Sequence, residues 1–261
     1  MHRTAVAIAL GFLVSVQLLI AQPEGRAAFD TFSAWKSAAP NAALGFSDAL
    51  AAYRAKLKRD GLTDAAADRV MNLIAAYDEG KGYDKVYAGP PDFNTKPNQL
   101  LVDAVEGLAT GRALDVGMGQ GRNALFLARR GWTVTGFDVS EEGLRQARER
   151  ASTDGLKLTT ILASDEEFDF GRERWDLIAI IYALEKRSIH KVRDALKPGG
   201  IVVVEAGHKE ASNAPFEYAS SELPEIFRGF QILRSEDTFG RYDWGPETIR
   251  LVRFVAQKPR R

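Results

Sequence analysis

The stretch Ala113–Gly121, ALDVGMGQG, constrains this chain more than any other. Its first residues read as a buried strand. The alternating glycines Gly117, Gly119 and Gly121 read as a tight turn, and a helix follows over 122–130, RNALFLARR. A side chain at any of these glycines would hold a ligand off the backbone. Without Cβ atoms, peptide N–H groups and the helix start can approach a polar group closely. Asp115 stands two positions before the first glycine. A second strand over 133–137 ends in Asp138, and an acid at that place can accept hydrogen bonds from both hydroxyls of a ribose. The dinucleotide fingerprint G-x-G-x-x-G does not fit, because Arg122 occupies its last glycine position. That spacing disfavours a nicotinamide-dependent oxidoreductase.

The remainder of the C-terminal region alternates. Strands are expected over 112–116, 133–137, 157–162, 175–181 and 201–205, and helices over 122–130, 141–153 and 189–196. A short helix near 221–227 and two alternating segments, 230–239 and 248–257, complete the pattern. Such alternation implies an α/β fold with a parallel sheet covered on both faces. Ser140 is an N-cap candidate with Glu141 and Glu142 in the first turn. Gly131 and Gly155 suit left-handed helix ends. Pro198, Gly199 and Gly200 of LKPGG suit a turn into the fifth strand.

D-x-G-x-G-x-G at Asp115, Gly117, Gly119 and Gly121, with Asp138 after the next strand, resembles the class I S-adenosylmethionine-dependent methyltransferases. The resemblance covers residues 81–261 and is strongest over 112–206. G-x-G-R-N at 119–123 is similar to the tellurite-resistance-type group and its small-molecule relatives. The resemblance implies a Rossmann-like, doubly wound sheet of seven strands, mostly parallel, with the last antiparallel between its neighbours. It implies S-adenosyl-L-methionine as cofactor and a small-molecule methyl acceptor. Asp115, Gly117, Met118, Gly119, Gly121, Asp138 and Val139 would bind the cofactor, with the Met118 side chain packed beside it. Asp165, or its competitor Glu166, would accept from the adenine amino group, and Tyr182 and Leu184 would wall the base. Tyr83-Asp84-x-x-Tyr87 matches a segment that lies over the cofactor in such enzymes, and a sulfonium is attracted to an aromatic face. Packing tyrosines are the other reading. His208, just after the fifth strand, could orient an acceptor or take its proton. Its other reading is a loop histidine without a role, and His190 reads as structural.

Lys+Arg and Asp+Glu both number 35, so no global charge calls for nucleic acid. Nor does an N/D-P-P-Y/F tetrad follow the fourth strand, where Ile180, Ile181, Tyr182 and Ala183 stand. The chain has no cysteine and only three histidines, which argues against thiolate chemistry and a histidine-rich metal site; no metal is expected.

Ahead of this region, a basic start at Met1-His2-Arg3 precedes an uncharged run over 5–21, which reads as a secretory signal peptide cleaved after Ala21. A membrane anchor is the rival reading, and a cytoplasmic chain with a leader that does not act as one is the third. Export would separate the domain from a cofactor made in the cytosol, so a non-catalytic cofactor-binding scaffold is the alternative function. Residues 22–80 read as a helical extension. Phe46, Leu50, Tyr53 and Leu57 share one helix face, with Ser47 as cap and Gly61 as stop. A second helix after Thr63 turns Val70, Leu73, Ile74 and Tyr77 inward and ends at Gly80 and Gly82. This hairpin would pack on the main domain over 81–261, or on a second copy in a homodimer.

Overall fold

The computed structural model describes residues 21–91, 93–210 and 217–260. The expected leader, residues 1–20, lies outside them. No helix among the described residues is long and apolar enough to cross a membrane. The chain divides into two compact units, the first ending at Gly82 and the second beginning at Tyr83.

Among its described residues the first unit holds three α-helices where the sequence suggested two: α1 (Ala21–Ser37), α2 (Phe46–Arg59) and α3 (Asp64–Ala88), the last continuing into the second unit. α1 was not expected. Its apolar stripe of Ala28, Phe29, Phe32 and Trp35 packs with Tyr53 and Ile74 in an aromatic core. Phe32 and Tyr53 meet at 5.4 Å with rings inclined at 63°. α2 starts at Phe46 behind Gly45, so Ser47 is inside the helix and not its cap. α3 runs through Gly80 and Gly82. Glycine weakens a helix interior by only about 1 kcal/mol relative to alanine, which neighbouring turns can absorb.

The second unit is built on one sheet: β1 (Arg112–Val116), β2 (Thr133–Asp138), β3 (Leu158–Leu162), β4 (Trp175–Ile181), β5 (Leu196–Gly207), β6 (Gln231–Arg241) and β7 (Thr248–Gln257). The strand order is β3-β2-β1-β4-β5-β7-β6, with β7 antiparallel to both its neighbours. Its helices are α4 (Gln99–Ala104), α5 (Arg122–Arg129), α6 (Glu141–Thr153), α7 (His190–Ala195) and α8 (Glu222–Ile226). Both sheet faces are buried. Along β4, Leu177, Ala179 and Ile181 face Leu101, Leu127 and Leu144, while Ile178 and Ile180 face Phe137, Phe168 and Phe227. Double burial makes the central strands near-continuous apolar runs.

LKPGG departs from the expected turn, since all five residues lie in β5. The register passes from Trp175↔Leu196 to Leu177↔Ile201, so four residues bulge opposite Asp176 alone. Gly199 adopts φ +80° at this bulge, and backbone bonds to Lys258 hold it.

The order reverses between β1 and β4, and in open sheets ligands bind beyond the carboxyl ends of the strands at that reversal. Ser140 starts α6 there: its hydroxyl accepts from Gly143 N at 3.0 Å and donates to Asp84 at 2.7 Å. Ser140→Ala should lower the urea-unfolding stability of this unit by about 1 kcal/mol, the usual cost of a lost N-cap. An unchanged midpoint would remove the cap from the account.

Candidate functional site

The loop after β1 carries the site. Gly117 and Gly119 have φ +61° and +49°, a region costly for residues with a Cβ. A Cβ at Gly117 would stand 2.5 Å from that of Ala183, and one at Gly119 would run into the Tyr87 hydroxyl. The loop is pinned from below. Met118 N donates to Phe137 O at 3.0 Å. Asp138, at the end of β2, accepts from Gly119 N and from Ser140 N, each at 2.8 Å.

Both acids of the motif are buried. Asp115 is 1% exposed, and its Oδ2 has no hydrogen-bond partner among the described residues. Burial pushes its carboxyl up to about 7, against the opposing pull of Arg122 and the Ala124 N–H. Asp138 is pushed up to about 6, again by burial, opposed by the N–H groups of Ser140, Gly119 and Val139. An enclosed carboxylate oxygen without a donor is costly. It suits a ligand that brings donors and positive charge; the space over the neighbouring Gly117 and Gly119 is held by Ala183 and the Tyr87 hydroxyl.

An aromatic wall closes the other side. Tyr87 is buried against Gly119 and Gly143, and burial, followed by the nearby Asp138, raises its phenol above the ordinary value. Tyr87 meets Phe93 edge-on at 5.7 Å, and Phe93 meets Trp244 at 5.1 Å. Arg122 ties the wall down through an ion pair to Asp243 at 2.8 Å. The resulting crevice, partly open to solvent, is lined by Tyr87, Phe93, Gly117, Gly119, Asp243 and Trp244 among others.

Residues 113–200 match the family model described as a methyltransferase domain. That segment is similar to the class I S-adenosylmethionine-dependent methyltransferases of the tellurite-resistance type. S-adenosyl-L-methionine, the cofactor specified in the names of such relatives, has sulfonium and ammonium groups that would bring positive charge to a buried acid. The chain is 26% identical over 152 residues to the Haemophilus influenzae protein named Probable S-adenosyl-L-methionine-dependent methyltransferase TehB, covering 54% of this chain and 53% of that one. It thus spans about half the length of that relative. The TehB crystal structure superposes with a TM-score of 0.54 at 21% identity, covering 62% of each chain. A ubiquinone biosynthesis O-methyltransferase from Alkalilimnicola ehrlichii is 29% identical over 177 residues, covering 62% of this chain and 71% of its own. The fold also matches the 1,6-didemethyltoxoflavin-N1-methyltransferase of Burkholderia thailandensis, with a TM-score of 0.51 at 18% identity, covering 72% of this chain and 86% of that one.

Within the methyltransferase domain, the chain after β4 is strained. Tyr182 and Leu184 hold φ +54° and +70° without being glycine. Such backbone costs on the order of 1–3 kcal/mol per residue and recurs at ligand sites. Tyr182 donates its hydroxyl to Glu205 at 2.7 Å. Glu205 is 2% exposed and also accepts from Asn98 and from Arg253, the latter at 2.6 Å. This network joins α4, β4, β5 and β7.

Several residues singled out in the sequence are engaged by protein partners. Met118 lines the crevice, but its sulfur lies against Gly136 of β2 and packs inward. Asp165 turns one oxygen to the Glu185 N–H at 3.2 Å, and Glu166 pairs with Arg187 at 2.5 Å. His208 is not brought to the crevice. Strand alternation turns it to the face opposite Glu205, where its ring meets Ser220 and lies near Glu210 and Asp237. Phe93, Asp243 and Trp244 were missed. The hairpin sequence YDWG carried aromatic and acidic residues as a signal, but no spacing rule links it to a loop more than a hundred residues earlier.

The burial of Asp115 and Asp138 gives a pH prediction. Both folded values lie above the ordinary 3.8, so the folded state holds these protons more tightly. Their contribution to stability is complete below that value and is lost as pH rises through about 6 and 7. Between pH 5 and 7.5 the ligand-free domain should lose stability, each acid adding at most ~1.4 kcal/mol per pH unit. Asp115→Asn should flatten the slope in denaturant titrations; a slope equal to that of the wild type would contradict the assignment.

Proposed function

We propose that this protein moves the methyl group of S-adenosyl-L-methionine to a nucleophilic atom of a small-molecule acceptor by direct displacement. One observation carries this reading: bare backbone at Gly117 and Gly119 lies beside two buried acids, Asp115 with an unpartnered oxygen and Asp138 bonded to the loop, at the reversal of strand order. Support for a small acceptor comes from relatives whose names specify ubiquinone biosynthesis and a toxoflavin precursor.

The bound cofactor supplies an electrophilic methyl group on a sulfonium whose departure leaves a neutral thioether. What remains for the protein is alignment and exclusion of water, and holding reactants in line can be worth ~7–11 kcal/mol. Asp138 would take the ribose hydroxyls, with Val139 beside it. Asp115 would face the positively charged end. Asp165 and Tyr182 would bound the base from the loops after β3 and β4. Tyr87 and Trp244 would shield the sulfonium side from water. Tyr87 keeps its proton at neutral pH, because burial raises its phenol, so it acts by packing and hydrogen bonding rather than as a base.

Isothermal titration with S-adenosylhomocysteine tests the cradle. Gly117→Val places a side chain against Ala183 in a left-handed backbone and should abolish binding. Asp138→Ala should weaken binding at least tenfold, ~1.4 kcal/mol, with the fold retained by circular dichroism. Binding unchanged in both variants would end the cofactor assignment. Methyl transfer itself is read by radiolabel incorporation from the methyl-labelled cofactor across a panel of small phenols, amines and thiols.

A further inference from the structure

Glu217 is a buried carboxylate that the cofactor crevice leaves unexplained. It is 7% exposed, and its Oε2 is enclosed with no hydrogen-bond partner among the described residues. The two other acids nearby are satisfied: Glu205 by Arg253, Asn98 and Tyr182, and Asp243 by Arg122. Buried carboxylates are ordinarily paired or hydrogen-bonded, because desolvating the charge is costly.

It lies at the carboxyl end of β5. Gly207 ends β5 two residues after Glu205, so both face the same side of the sheet. A Cβ at Gly207 would stand 2.9 Å from Glu217 Oε1, so only bare backbone lets the carboxylate lie against the strand end. Tyr242 joins this corner to the crevice. Its phenol is raised by burial first and then by the charges of Glu217 and Asp243, and Asp243 lines the crevice. Tyr182, at the end of β4, meets the Tyr242 ring edge-on at 5.1 Å and 88°. A buried carboxylate with an unpartnered oxygen near the Tyr242 ring, itself edge-on to Tyr182, is the chemistry that binds an organic cation.

We propose that Glu217, with Gly207 and Tyr242, forms an acceptor subsite for a cationic nitrogen. The methyl acceptor then carries an ammonium-type recognition group apart from the atom that is methylated. This rests on the reading of the crevice as a methyltransferase site.

The test uses the full chain saturated with S-adenosylhomocysteine, and the probe pair benzylamine and benzoate, followed by ligand-observed NMR titration. Benzylamine should bind at least tenfold more tightly than benzoate. Glu217→Gln should abolish that preference without changing affinity for S-adenosylhomocysteine, and Glu217→Asp, which keeps the charge, should retain it. Equal affinity of the two probes for the wild type, or a preference that survives Glu217→Gln, overturns the proposal. A chain that binds no S-adenosylhomocysteine overturns the methyltransferase reading, and the proposal falls with it.

Discussion

The buried carboxylate of Asp138 holds the second unit's functional end together. One oxygen takes the Gly119 N–H, and the other takes the Ser140 N–H. A single side chain at the end of β2 thereby fixes the glycine loop after β1 and the start of α6. Ser140 passes the constraint on to Asp84, which also accepts from Glu142 N, and so secures the segment bearing Tyr87. The loop keeps its left-handed glycines because this anchor, and the packing of Met118 on Gly136, leave it no other path.

The domain is least self-satisfied where ligands are expected. Its apolar layers alternate cleanly across both sheet faces. At the carboxyl ends of the strands that order breaks down. Asp115 and Glu217 each bury an oxygen without a partner among the described residues, and Tyr182 and Leu184 hold backbone that glycine would adopt at less cost. Unmet polar groups and strain of this kind persist only where surrounding packing enforces them. Their grouping at the ends of β1, β4 and β5 sets the functional corner apart from the rest of the sheet.

Much of this was legible in the sequence, for local reasons. β1, β4 and α6 follow from short-range periodicity and capping, since Ser140 and the glycine turns act on residues within a few positions. The antiparallel placement of the last of seven strands followed from the family resemblance rather than from periodicity. α1 escaped although Ala28, Phe29, Phe32 and Trp35 already repeat at helical spacing, because the apolar leader ahead of it drew the reading toward a cleavage site. The stop placed at Gly80 and Gly82 treated glycine as a breaker when it is only a weak helix former. The LKPGG segment was placed between the correct elements but read as a turn, because a bulge against Trp175 and Leu177 depends on a partner strand. The network of Asn98, Tyr182, Glu205 and Arg253, and the wall built by Asp243 and Trp244, arise from contacts across the whole sheet, which sequence spacing does not encode.

The central claim is that the glycine loop and Asp138 receive the cofactor. The most direct measurement is a crystal structure of the chain with S-adenosylhomocysteine. The account predicts the nucleoside in the crevice between Gly117 and Trp244, with both ribose hydroxyls on the Asp138 carboxylate. A ligand bound elsewhere, or a crevice left empty at saturating ligand, would contradict it.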